Sequence, residues 1–192
     1  MVLANPPYSI KQWDREAFAS DPYGRNFLGT PPQGRADYAF IQHILKSMDP
    51  RSGRCAILLP HGVLFRNEES EMRERLVRSD LVEAVIGLGA NLFFNSPMEA
   101  CILICRSEKA PNRSKKILFV DASAEVTRKN AQSYLEPQHI KRIVDAYRSD
   151  EDIEGFSSHA SFSELEDNAF SLSIPLYVKP ANDENADDRS IE

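Results

Sequence analysis

The chain has 192 residues, 42% hydrophobic and 27% charged, with a formal net charge of −6, enough for one globular domain with a sizeable core. No apolar stretch approaches the roughly 20 residues that span a bilayer, and the N-terminus lacks the charged start and apolar run of a secretory signal, so a cytoplasmic protein without a membrane partner is expected. Cys55, Cys101 and Cys105 are odd in number and lie in apolar runs; they read as reduced, buried side chains, and Cys101 and Cys105 lack the second Cys or His pair that a metal would need.

The negative charge is uneven. Residues 181–192 carry five acidic residues against Arg189, a net of −4, whereas residues 1–66 carry eight basic residues against five acidic ones, a net of +3. A mildly basic N-terminal third suits an edge near phosphate but is too weak to grip DNA alone.

In chain order, Met1-Val2-Leu3-Ala4 reads as a short buried strand that delivers Asn5-Pro6-Pro7-Tyr8 as a rigid turn at the edge of a parallel sheet. Asn5 offers a side-chain carbonyl, and prolines have no N–H to compete for neighbouring carbonyl oxygens. Two acceptors side by side can hold both hydrogens of an exocyclic amine and keep its lone pair available, while Tyr8 offers a flat face for stacking. That is a site for alkylating an amino group on a planar ring.

Residues 9–35 have no sustained period beyond one helical turn near Asp14 to Ala19, and loops of this length are usually functional or disordered. Lys11, Arg15 and Arg25 are its phosphate-contact candidates. From Asp37, placed as N-cap, Tyr38, Ile41, Leu45 and Met48 mark a helix that Pro50 and Gly53 stop. Cys55 to Leu59 reads as a strand covered on both faces, ended by Pro60-His61-Gly62 at the same edge as Asn5; His61 reads as a loop residue, since a neutral amine needs no strong base. Residues 67–78 run from acidic to basic, as a helix dipole prefers, and Leu81 to Leu88 is a further buried strand.

Gly87-Leu88-Gly89 begins like a dinucleotide-binding loop, but Leu92 stands at the third glycine position and aromatics follow, so a cofactor role is rejected. Asn95-Ser96-Pro97 is a turn into the strand Ala100 to Cys105, and Lys116 to Asp121 is another strand. Residues 122–135 read as a polar connection, Pro137 opens a helix whose apolar positions are Ile140, Ile143, Val144 and Tyr147, residues 151–180 read as a C-terminal arm on the domain or a partner, and 181–192 as a disordered acidic tail. Residues 1–150 form the main unit, an α/β sheet, mostly parallel with an antiparallel edge.

The Asn5-Pro6-Pro7-Tyr8 motif resembles that of adenine-N6 amino-methyltransferases. The stretches Arg35 to His43, Leu59 to Arg66, Val85 to Leu88, Asn91 to Phe94, Cys101 to Ile104 and Phe119 to Ser123 resemble, in order, the modification (M) subunit of type I restriction-modification systems. The resemblance runs from residue 2 to about residue 178. It implies the second half of a Rossmann-like methyltransferase domain, with Asn5 and the Pro6 carbonyl holding the amine, Pro7 fixing the turn and Tyr8 stacking on a flipped base. It implies S-adenosylmethionine as methyl donor, bound by a motif upstream of Asn5, and DNA, specificity (S), restriction (R) and second M subunits as partners. By itself the chain is expected to be inactive. Two other readings stay open: a non-catalytic assembly module, or an amino-methyltransferase acting on RNA or protein glutamine.

Overall fold

The structure, a computed structural model, describes residues 1–93, 97–130 and 132–180. Its framework is a sheet of six strands: β1 (Val2–Ala4), β2 (Arg54–Pro60), β3 (Val82–Leu88), β4 (Ala100–Arg106), β5 (Lys116–Ala122) and β8 (Ser157–Ser161), in the order β1-β2-β4-β3-β5-β8. β1 pairs with β2 and β3 with β5 in parallel, while β4 runs against both β2 and β3, and β8 against β5. Four strands therefore point one way, and β8 is the antiparallel edge. β4 is a second reversal, inside the sheet, which a run as evenly apolar as Ala100 to Cys105 does not announce.

The described residues also form five α-helices: α1 (Arg15–Ala19), α2 (Asp37–Lys46), α3 (Ser70–Arg78), α4 (Pro137–Arg148) and α5 (Phe162–Asp167). On one face Tyr38, Ile41 and Leu45 of α2 and Met72, Leu76 and Val77 of α3 pack on Cys55, Ile57 and Leu59 of β2, and this core continues into Leu165, Phe170, Leu172 and Ile174. On the other face Ile143 and Ala146 of α4 close over Ala84, Ile86, Leu118 and Val120. The three cysteines are buried and unpaired.

α4 does not reach the β1 end of that second face. Ala56 and Leu58 of β2 are only half-buried, and with Leu3, Ala4 and Ile102 they line an open hollow beside Asn5. β2 is thus covered on one face rather than two. β1 is likewise not a buried strand: it pairs with β2 alone and leaves Leu3 71% exposed.

Two further expectations change. The connection 122–135 contains a small hairpin, β6 (Thr127–Lys129) with β7 (Gln132–Tyr134), whose polar residues hide the alternation that marks a strand. Residues 151–180 supply strand β8 and the core side chains Phe156, Leu165, Phe170 and Leu172, so they pack on the domain itself. Asn95 and Ser96, the first two residues of the turn before β4, the aromatic Phe94 and the acidic tail 181–192 lie outside the described residues.

Candidate active site

β1 runs beside β2 with Ala4 opposite Ile57, so Asn5 leaves the sheet at the carboxyl ends of the parallel strands, where open α/β sheets bind ligands. Pro60-His61-Gly62 leaves β2 at the same edge, as the sequence predicts. Asn5 is exposed, and among the described residues its side chain makes no hydrogen bond. Pro6 is buried and anchors the turn, Pro7 is exposed, and Tyr8 is half-buried. The Tyr8 hydroxyl sits inside with no hydrogen-bond partner among the described residues; burial, then the neighbouring Cys101, raises its pKa, so the ring stays a neutral phenol.

The residue after the motif shows how the turn is held. Ser9 is left-handed, with φ 48, and its N–H donates to Asp37 Oδ1 at 2.7 Å while its hydroxyl donates to Oδ2 at 3.3 Å. Asp37 is therefore not the cap of α2. Ala36 holds the N-cap position and makes no side-chain cap bond, because the Asp37 carboxylate turns away from the helix toward the motif. Arg66 Nη1 meets the same carboxylate at 2.8 Å and Glu69 Oε2 at 3.3 Å. Asp37 and Glu69 are buried, and burial, opposed by Arg66 and reinforced by Asp37, raises the Glu69 carboxyl to about 7. None of Arg66, Glu69 or Ser9 stands out in the sequence as part of a site; the signal was an acidic residue 28 positions from its partner.

The segment between Tyr8 and α2 is ordered by its own contacts. Trp13 Nε1 donates to the Gln33 carbonyl at 2.8 Å, and Trp13 meets Phe18 edge-on. Buried Gln42 accepts from the Leu28 N–H at 2.7 Å and donates to the Gly29 carbonyl at 2.9 Å. Asp14 caps α1 through the Ala17 N–H at 2.9 Å, where the sequence places one helical turn. Of the three phosphate candidates, Lys11 is exposed. Arg15 is half-buried and donates from Nε to the Pro31 carbonyl at 2.8 Å. Arg25 is engaged by Asp21, with Nε to Oδ1 at 2.8 Å and a second, shorter contact from Nη2 to the same oxygen.

His61 stands apart from the motif. It opens a 3-10 turn, lies 3.7 Å from Glu99 through Nδ1, and faces a hollow shared with Asp121, Ser123 and Ser173. Burial lowers its pKa against the pull of Glu99 and Asp121, which keeps the imidazole neutral. Gly87 and Gly89 serve packing: a Cβ on Gly89 would lie 2.6 Å from the Ser123 carbonyl oxygen, and one on Gly87 would lie 2.6 Å from Ile174 Cδ1. With Ser123 and Val126 filling the space beside Gly89, these glycines do not cradle a nucleotide. Among the described residues no cluster of His, Cys, Asp and Glu has metal-ligand geometry, and no helix is long and apolar enough to cross a membrane.

Sheet order, helical layers and a proline turn at the carboxyl edge of β1 define the class: the chain has the α/β sheet of a Rossmann-like methyltransferase. It belongs to the N-6 DNA methylase family, which matches residues 1–186. It is 33% identical over 192 residues to the type I restriction enzyme MjaVII methylase subunit of Methanocaldococcus jannaschii, covering 95% of this chain and 33% of that protein. It is 32% identical over 196 residues to the HindI methylase subunit of Haemophilus influenzae, covering 96% of this chain and 42% of that one. The crystal structure of the type I restriction-modification methyltransferase subunit from Streptococcus thermophilus superposes with a TM-score of 0.83 at 40% identity, over 92% of this chain and 37% of that one. The chain thus spans between a third and a half of the length of these relatives.

Proposed function

We propose that this chain carries the amine-holding part of an adenine-N6 DNA methyltransferase, in the modification subunit of a type I restriction-modification system. The observation that carries the reading is Asn5, exposed and with a side chain that makes no hydrogen bond among the described residues, directly after a parallel strand and before two prolines.

Asn5 Oδ1 and the Pro6 carbonyl accept the two hydrogens of the adenine amine. Their pull concentrates electron density on the nitrogen, so its lone pair stays directed at the electrophilic carbon, and the amine loses one proton to water after transfer. Pro7 restricts the backbone of the turn. The half-buried Tyr8 ring presents its open part to a base flipped out of the duplex. S-adenosylmethionine supplies the electrophilic methyl group. The space beside Gly87 and Gly89 is filled by Ile174, Ser123 and Val126, so these glycines do not fit that cofactor, and its principal binding motif is expected upstream of Asn5. Lys11, by its exposure, and Arg15, by its position, are the favoured phosphate contacts, and Arg25 joins them only by leaving Asp21. The partners are DNA, the S and R subunits and a second M subunit, and the setting is the cytoplasm. The chain divides into residues 1–150, the methyltransferase half-domain, and the packed segment 151–180.

The decisive assay is transfer of labelled methyl groups from S-adenosylmethionine by the complete subunit assembled with its specificity partner. Label is expected on adenine of duplex DNA, and label on RNA or on protein glutamine instead would overturn the substrate assignment. Residues 1–192 alone are expected to give no binding heat with S-adenosylmethionine and no turnover.

A further inference from the structure

Resting on the amine-holding reading of the Asn5 turn, we infer that Asp37 is a positioning residue for that turn, and that it acts by locking Ser9 in a left-handed backbone conformation.

The motif is short of backbone donors. Pro6 and Pro7 have no N–H, so beyond Asn5 a backbone donor can tether the turn only from Tyr8 onward. Ser9 supplies that tether, and both oxygens of one carboxylate receive it: the N–H at 2.7 Å and the hydroxyl at 3.3 Å. A serine at φ 48 sits in a region that L-residues with a Cβ occupy only when their surroundings impose it. Asp37 is what imposes it here.

Asp37 is itself immobile. It is 1% exposed and opens α2, which Tyr38, Ile41 and Leu45 fasten in the core. Its carboxylate is held from the far side by Arg66, 2.8 Å away, and the Arg66 guanidinium lies so close over Gly62 that a Cβ there would collide with it. The turn is therefore clamped against two elements of the core, α2 through Asp37 and the end of β2 through Arg66. Amine capture by two acceptors depends on their separation and direction, and misplacement by about 1 Å costs about a hundredfold in rate. A relaxed Ser9 would swing Tyr8 and, through two prolines of fixed φ, Asn5.

The test uses the complete subunit in its assembled enzyme, with single-turnover methyl transfer, steady-state constants and thermal melting measured on the same preparations. Ser9→Val keeps the N–H but adds a β-branched side chain that resists positive φ, whereas Ser9→Ala removes only the longer hydroxyl bond. We expect Ser9→Val to lower kcat about tenfold or more, Ser9→Ala about threefold or less, and Asp37→Asn about 10–100-fold, with KM for DNA within about threefold in each. Should Asp37→Asn fail to fold, the two Ser9 substitutions still decide the matter. Equal kcat for Ser9→Val and Ser9→Ala overturns the inference, as does a loss that appears in melting temperature and KM while kcat stays. Asn5→Ala runs alongside as the separate check on the underlying reading. Turnover at the wild-type level in Asn5→Ala sinks both, while an inactive Asn5→Ala beside wild-type rates in the Ser9 and Asp37 substitutions sinks the clamp alone.

Discussion

The sheet has two edges, and they are finished differently. At β8 five residues are registered on β5 from Ser161 opposite Lys116 to Ser157 opposite Val120, and the chain then folds back to bury Leu165, Phe170, Leu172 and Ile174. At β1 three residues pair with β2, Leu3 and Met1 are 71% and 78% exposed, and an apolar hollow opens beside Asn5. Packing is concentrated at the closed edge, and the open edge displays the turn to which we assign the chemistry. A residue of either kind should therefore report on one property and be nearly silent on the other.

The largest effect on stability is expected from Phe119→Ala. Phe119 is fully buried and stacks on Tyr177 with ring centroids 4.1 Å apart, tying β5 to the returning segment. Its loss should cost about 3–5 kcal/mol, because the removed surface and the cavity left behind add. Leu3→Ala, an apolar truncation at the other edge, should change stability by less than about 0.5 kcal/mol. Urea denaturation of residues 1–192 compares them directly, and similar costs would remove the distinction between the edges.

Asn5→Ala is the converse. It should lower methyl transfer by the complete enzyme about 10²–10³-fold, the usual cost of deleting one prepositioned polar group at the reacting atom. The denaturation midpoint should stay in place, since Asn5 is exposed and makes no bond within the described residues. A lowered midpoint would mean that the turn is part of the scaffold rather than carried by it.

How much of this contrast the sequence discloses follows from what each element encodes locally. β3, with all seven residues buried, announces itself as an apolar run broken only by Glu83, and α4 does so by a proline at its start and apolar residues at helical spacing. The Asn5 turn is legible because prolines dictate backbone and asparagine dictates chemistry. β8 is not, because Ser157, Ser158 and Ser161 lack the residues that mark strands; it is a strand because β5 offers an edge for it to pair with. The direction of β4 is a property of topology rather than of any residue in it. Asp37 illustrates the sharpest limit. An aspartate at a helix start satisfies the rule for a cap whichever way its carboxylate points, and only the fold brings Ser9 to it from 28 residues away.

Beneath the open edge, Glu69 gives a smaller effect with a definite sign. Its carboxyl rises from an ordinary 4.5 to about 7, so between those values the folded protein keeps a proton that the unfolded chain releases. More protons bound in the folded state means that stability falls as pH climbs through this window and levels off above about 7. Glu69→Gln removes the titration while keeping the shape. The stability of wild type relative to Glu69→Gln should therefore decline by about 1–3 kcal/mol from pH 4.5 to pH 8. A difference that is flat, or that grows with pH, would show that Arg66 keeps Glu69 ionised throughout.

The finest test distinguishes the cations beside the turn. Lys11 is exposed, so a phosphate that reaches it displaces only water and counterions, and Lys11→Ala should lower the slope of log K against log salt for DNA binding by about 1. Arg25 has the same formal charge but already spends it on Asp21, whose carboxyl it holds down to about 2. Recruiting Arg25 to a phosphate would strip Asp21 of its partner and leave a bare carboxylate beside the DNA backbone. Arg25→Ala should therefore change the slope by clearly less than Lys11→Ala, when both are measured in the assembled enzyme across the same salt series. If the two slopes fall equally, the Asp21 pair opens on binding and the segment 9–35 rearranges around DNA. If only Lys11 matters, the segment meets DNA as it stands, with its charge already sorted between contact and scaffold.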